Sequence, residues 1–305
     1  MFFFRSQSQE RLGEILVFGE MLIMALFPIL VHYGSIQMPP LFFAAITSLI
    51  AGLTMGVPLI VTNRSRELLE RKVWKPIVII TLCIIVFPSI LIYKGAQLTS
   101  GINTSILLTA EALFTLLFFH FVGERITRIK IFGTIAMFAG TALVVWNGIF
   151  ELNTGALLIL LATAIYPIGN YYAKKALVIA HPFTLIFARS LLGGLILLGF
   201  SLAFESFQSV DLKLLKDFWW ILLLNGFLVS ALSKVFWYEG IKRIEVGKAV
   251  IIGMSFPAFS MILATIFLKE IPTIYQLGGF LIILAGLYSI TAFKPKSFSN
   301  APEIH

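Results

Sequence analysis

Residues 123–146 read GERITRIKIFGTIAMFAGTALVVW, and residues 269–292 read KEIPTIYQLGGFLIILAGLYSITA. With an offset of 146, Glu124 falls on Glu270, Gly133 on Gly279 and Gly140 on Gly286. Each stretch is a carboxylate at a turn followed by an apolar run punctuated by two glycines. The echo continues upstream. Gly101 matches Gly247 at the same offset, and Tyr93 and Gly95 match Tyr238 and Gly240 at 145. ALFPIL at 25–30 matches AIYPIG at 164–169, pairing Pro28 with Pro167 and Tyr33 with Tyr172. Pro40, Ser48 and Gly52 pair with Pro182, Ser190 and Gly194. The chain therefore contains one unit twice.

Composition says what kind of unit it is. Of 305 residues, 59% are hydrophobic and 12% charged, half the charged share of an ordinary soluble domain. A soluble fold of this length cannot hide so much apolar surface. A soluble enzyme, a nucleic-acid-binding domain and a disordered chain are excluded, and a polytopic membrane protein remains. A spanning helix takes about 20 apolar residues. Ten apolar stretches occur, near 13–33, 40–61, 75–98, 101–122, 129–147, 154–174, 182–204, 218–239, 247–268 and 274–293. The separators are short, which suits an antiparallel helical bundle. The alternating ten-residue strands of an outer-membrane barrel are absent. The N-terminus lacks the basic start and cleavage site of a secretory signal, so the first helix is expected to stay as an anchor.

The net charge of +8 sorts by side. With ten spans, seventeen Lys and Arg fall in the tails and alternate loops; the other side holds Lys94, Lys213, Lys216 and Lys269. That bias places both termini in the cytoplasm and makes lipid, not nucleic acid, the partner of the positive charge. Five spans per unit is odd, so the second unit starts on the opposite side and the two are inverted repeats. Inverted repeats are the mark of secondary transporters, with substrate held between the halves near the midplane. The expected architecture is an all-α polytopic membrane protein of ten transmembrane helices. It comprises a tail (1–12), two five-helix repeats (13–147 and 148–293) around a central cavity, and a second tail (294–305).

The Glu-Arg-Ile-Thr sequence with its glycine helix, the copy KEIPT…GGFLIILAG, the LIFARSLLGG segment and the ten-span layout resemble the EamA-type members of the drug/metabolite transporter superfamily. The resemblance covers about 14–292. It implies exporters of amino acids and related small metabolites. It also implies that spans 1–4 and 6–9 line a cavity and that spans 5 and 10 lie at the periphery.

Ionisable groups inside spans are costly and mark function or pairing. Four are deep here: Glu20, Glu111, Arg189 and Lys234. Glu111 is a candidate for coupling, since a carboxylate in low dielectric can take and release a proton as its surroundings change. A structural partnership with Arg189 or Lys234 is the other reading. Its counterpart at the 146 offset is Pro257. Arg189 could clamp a substrate carboxylate in a bidentate manner, or it could snorkel to the surface, and Lys234 has the same two readings. Glu20 is either a second carboxylate of a proton site or a salt-bridge partner. Pro28, Pro88, Pro167 and Pro257 interrupt helices, as helices that line a cavity often are. Tyr33, Tyr166 and Asn170 lie beside the duplicated Pro28 and Pro167 as candidate hydrogen-bonding wall residues. The glycine faces of spans 5 and 10 suit either a dimer face or packing within one half, so both monomer and homodimer are open.

No zinc-protease, Walker or nucleophile-elbow motif occurs, and the lone Cys83 offers no disulfide or metal set. No metal, cofactor or catalysis is expected; the expected partner is a small-molecule substrate. The leading reading is a proton- or gradient-coupled exporter of small organic metabolites. The alternative in the same superfamily is an exchanger of anionic solutes such as nucleotide-sugars. A membrane enzyme or receptor is the alternative of another class.

Overall fold

The computed structural model describes residues 2–121, 128–146, 148, 153–205, 212–244, 249, 252–253 and 255–292. Among these, regular structure is helical throughout. Chain order gives α1 (Phe2–Met24), α2 (Phe27–Gln37), α3 (Pro40–Val61), α4 (Arg71–Ile80), α5 (Phe87–Leu98), α6 (Gly101–Leu108), α7 (Ala110–Phe121), α8 (Arg128–Trp146) and α9 (Thr154–Ala176). It continues with α10 (Pro182–Phe204), α11 (Leu212–Leu223), α12 (Ser233–Ile241), α13 (Phe256–Phe267) and α14 (Ile274–Ala292). Six stretches are long and apolar enough to cross a membrane: Ser8–Gln37, Pro40–Val61, Arg71–Leu98, Thr154–Ala176, Pro182–Phe204 and Leu214–Ile241. Shorter apolar helices cover Ile131–Trp146, Phe256–Phe267 and Ile274–Ser289. Outward-facing apolar side chains such as Leu53, Val57, Phe132, Ile135, Ile262 and Ile266 leave a broad apolar surface that water would not tolerate. The protein is an integral membrane protein.

The breaks in these helices come in matched places. Between α6 and α7 the turn at Thr109 takes Thr109 N–H to the Ile106 carbonyl (3.0 Å) and Ala112 N–H to the Thr109 carbonyl (3.1 Å). The matched residues 146 further on repeat it: Ser255 N–H to Ile252 and Ala258 N–H to Ser255, both at 3.2 Å. Pro257 accompanies the second break. In the first, the Thr109 hydroxyl takes the Ile106 carbonyl instead, competing with the helical ladder. Similarly, π-helical segments at Thr81–Val86 and Leu224–Leu232 occupy matched positions. Pro88 follows the first and Ser233 stands at the equivalent place in the second, so proline alone does not set the π geometry.

Matched helices pack on one another antiparallel. A Cβ on Gly279 would stand 2.6 Å from the Gly140 carbonyl oxygen, and one on Gly286 2.6 Å from the Gly133 oxygen. Stepping up α14 thus means stepping down α8. The glycine faces of these two helices are spent on each other, across the halves. Between α3 and α10, Gly52 meets Leu191 and Gly194 meets Leu49, again antiparallel. The pairs α5 with α9 and α1 with α12 complete the pattern. Gly95 lies against Gly155, and its match Gly240 against Gly13 and Val17.

Carboxylates stitch the helix ends. Glu67, after α3, accepts the His181 N–H (2.7 Å) and the Thr184 hydroxyl (2.7 Å) at the start of α10. Glu205, after α10, accepts the N–H groups of Leu41 (2.8 Å) and Phe42 (2.9 Å) at the start of α3. Each helix of the pair caps the other's exposed N–H groups, where the helix dipole favours negative charge. Burial pushes the Glu67 carboxyl up, but the hydrogen bonds from His181, Thr184 and Arg64 outweigh it and hold the group below the usual carboxylate range. Glu270 does the same for α6, accepting Gly101 N–H and Ile102 N–H at 2.8 Å each. This agrees with reading its motif as a helix end. The duplicate, Glu124, lies outside the described residues.

Candidate functional site

The four deep charges gather in the half of the bundle nearer the basic loops. The Thr109 break starts α7 in mid-bundle and puts Glu111 in its first turn, where free N–H groups favour a carboxylate. Asn170 on α9 donates its amide N–H to Glu111 Oε1 at 2.7 Å. Glu111 retains accessible surface and Asn170 is exposed, although both lie well inside their helices. Across the space, Lys234 Nζ donates to Glu20 Oε1 at 3.3 Å and lies 3.3 Å from Met24 Sδ. Both members of this pair act electrostatically on Glu111. Lys234 thus pairs with Glu20, and its charge also reaches Glu111.

Arg189 is different. Its side chain does not snorkel: the residue is 5% exposed, and its Nε has no hydrogen-bond partner among the described residues. No carboxylate among the described residues pairs with it, and a buried guanidinium so placed favours an anionic partner. Tyr166 links this cation to the rest, since Arg189, Glu111 and Tyr93 all act electrostatically on its phenol.

Beyond Tyr166, away from the basic loops, the bundle closes. Asn225 donates to the Tyr93 oxygen (2.9 Å), and the Tyr93 and Thr47 hydroxyls are 3.2 Å apart. Thr47 donates in turn to the Phe43 carbonyl (2.9 Å), so the Tyr93 hydroxyl donates to Thr47. Phe43 stacks edge-on against Tyr93 at 5.2 Å. Phe43, Thr47, Tyr93 and Asn225 are all buried, and Asn225 Oδ1 is a buried acceptor without a partner among the described residues. The site is a floor of charges, in which Glu20 and Arg189 are buried while Glu111 and Lys234 keep some accessible surface, beneath a ceiling of buried polar groups.

Of the residues expected from sequence, Glu20, Lys234, Glu111, Asn170, Tyr166 and Arg189 come together. Tyr33 does not; it is exposed near the far end of α2, edge-on to Phe218 at 6.3 Å. Pro28 opens α2 after a break at residues 25–26, Pro257 opens α13, Pro88 opens α5, and Pro167 sits buried inside the continuous α9. Sequence reasoning missed Tyr93, Thr47 and Asn225 as site residues. Tyr93 served only as a repeat landmark, and Asn225 was one polar residue in an apolar run. Its signal was that a lone amide in hydrocarbon needs a partner. No group of His, Cys, Asp and Glu suited to a metal occurs among the described residues.

The sequence pattern of the EamA-like transporter family matches the chain twice, at residues 11–146 and 153–292. The chain belongs to the EamA-like transporter family. It is similar to two Bacillus subtilis (strain 168) proteins of this kind. One, named Uncharacterized transporter YoaV, is 24% identical over 266 residues, covering 85% of this chain and 89% of its own length. The other, Uncharacterized transporter YvbV, is 25% identical over 257 residues, covering 82% and 81%. A solved structure, described as a crystal structure of protein, superposes with a TM-score of 0.67 at 17% identity. It covers 92% of this chain and 96% of its own, a likeness of fold alone. The two family matches coincide with the two copies of the repeat, and the residues gathered above come from both.

Proposed function

We propose that the chain is a secondary transporter that exports small organic metabolites, amino acids or related compounds, from the cytoplasm across the plasma membrane. In this reading all ten helical segments cross the bilayer as two inverted five-helix repeats, 13–147 and 148–293, with both tails cytoplasmic. Substrate binds between the halves and the access alternates between the two faces. The observation that carries the reading is Arg189, a buried cation whose Nε has no partner among the described residues, in a bundle that holds a second, separate polar anchor at Glu111 and Asn170. An arriving carboxylate would satisfy Arg189, and an amine or a proton would satisfy Glu111. No bond is made or broken in the substrate, so the protein is not an enzyme and uses no cofactor. One chain holds the whole path, so a monomer suffices and a homodimer would repeat it.

The test is counterflow in proteoliposomes across a panel of zwitterionic and anionic metabolites, with and without a pH gradient. Uptake of a carboxylate-bearing solute is expected. No movement across the whole panel would remove the reading. Glu111→Gln should keep the fold and lose the dependence on the pH gradient; an unchanged dependence takes coupling away from Glu111.

A further inference from the structure

The face away from the basic loops carries a second ionic arrangement, remote from the charged floor. His32 on α2 places Nδ1 2.7 Å from the Ala96 carbonyl oxygen at the end of α5, and Nε2 3.7 Å from Glu270 Oε1. A carbonyl only accepts, so Nδ1 must carry a proton. In a neutral ring Nε2 is then the lone-pair nitrogen, and it faces a carboxylate. That contact repels. A second proton on Nε2 turns it into a charge-assisted attraction. Glu270 cannot turn away, because both its oxygens are held by the α6 N–H groups.

One side of this contact is fixed, and the other rides on a short helix held at His32 by the Ala96 carbonyl. Asn103 on α6 accepts from Gln276 of α14 at 2.8 Å and donates to Thr99 at 3.0 Å, and Asn153 before α9 donates to the same Thr99 hydroxyl at 3.0 Å. This network locks the end of α6 to α14 and the start of α9. His32 arrives on α2, a short helix separated from α1 by the break at residues 25–26 and opened by Pro28. The charged and titratable groups on elements packed against α2 are Arg5, Glu10, Arg11, Glu14 and Glu20 on α1, Tyr93 and Lys94 on α5, and Lys213, Lys216 and Asp217 on α11. Among the described residues only Glu270 comes within ion-pair distance of the imidazole.

We infer that His32 and Glu270 form a proton-operated latch that holds this face shut when the imidazole is charged and lets α2 swing out when it is neutral. The transporter reading supplies its purpose, opening the cavity to the far side, but not its geometry.

The test uses the full chain in lipid nanodiscs. Cys83 is the single cysteine, so Cys83→Ser gives a blank background. Ser35→Cys then places a thiol one turn from His32, at a fully buried position. Its labelling by a membrane-impermeant maleimide is read relative to Gln37→Cys, which is exposed, so that thiol ionisation cancels. With His32 intact, relative labelling is expected to rise about threefold or more from roughly pH 5 to pH 8. His32→Ala and Glu270→Gln should label fast and without pH dependence, while Glu270→Asp, keeping the charge, should retain the response. A flat profile with His32 intact, or a pH response that survives His32→Ala, overturns the latch. If labelling responds but proteoliposomes move no solute, the transporter reading falls and the latch stands.

Discussion

Glu205 offers the sharpest test of how the helix pair α3–α10 is held together. Its carboxylate accepts the Leu41 N–H at 2.8 Å, the Phe42 N–H at 2.9 Å and the Ser201 hydroxyl at 2.8 Å. Leu41 and Phe42 are 3% and 6% exposed, so few alternative partners reach their N–H groups. Glu205→Ala orphans both. A buried donor left without a partner costs about 1–3 kcal/mol, and losing a helix cap costs about 0.5–2 kcal/mol in host proteins. Ser201 can turn its hydroxyl to a carbonyl of its own helix and adds little. Glu205 itself is only half-buried, so water recovers part of the loss. The net expectation is a destabilisation of about 2–3 kcal/mol. Glu205→Gln should fall between, because one amide oxygen replaces two carboxylate oxygens. The measurement is equilibrium unfolding in mixed detergent micelles, followed by tryptophan fluorescence. Glu70→Ala is the control: among the described residues Glu70 pairs only with exposed Lys72 at 2.8 Å, a contact worth under about 1 kcal/mol. If Glu205→Ala unfolds within about 0.5 kcal/mol of the parent, the reciprocal capping does not hold the pair.

The matched cap adds a pH signature. Because the Glu67 carboxyl sits below its ordinary value in the fold, its contribution is complete above the unfolded carboxylate range and drains away as pH falls through the folded value. The stability gap between the parent and Glu67→Gln should therefore shrink on acidification from neutral toward about pH 3, and a gap independent of pH refutes the assignment. Arg189→Met should leave stability unchanged or raise it by about 1 kcal/mol or more, since no partner among the described residues loses a charge, while solute flux drops about tenfold or more; a strongly destabilised Arg189→Met would reveal a structural cation. Gly279→Ala places a methyl 2.6 Å from the Gly140 carbonyl oxygen and should cost about 1–3 kcal/mol in the unfolding assay by forcing α8 and α14 apart, whereas Gly199→Ala, with open space around it, should not.

Much of the site was legible because charge is conspicuous in hydrocarbon. Glu20, Glu111, Arg189 and Lys234 could be picked out singly, and the structure adds only how they divide: Glu20 with Lys234, Glu111 with Asn170, Arg189 with nothing among the described residues. Tyr33 was picked by its place next to a duplicated proline. Sequence proximity on a helix does not say which way a side chain points, and this one points out of the bundle. Prolines marked breaks at 28 and 257, while Pro88 follows a π segment in a helix that runs on and Pro167 lies inside an unbroken one. The breaks at Thr109 and the π segment at 224–232 carry no proline and were invisible, because a hydroxyl or a packing contact can replace a missing N–H in disrupting the ladder.

The sequence by itself determined that the chain is helical, apolar and doubled. Hydropathy, loop charge and the 146-residue echo are local quantities that one strand of text records. Only the tertiary structure decided that matched helices lie antiparallel on one another, that Glu67 and Glu205 cap each other's partners, and that His32 meets Glu270 across 238 positions of chain. Those contacts join residues from different helices. Their cost and benefit depend on which donors the rest of the fold leaves unsatisfied, and that sum exists only once the helices are packed.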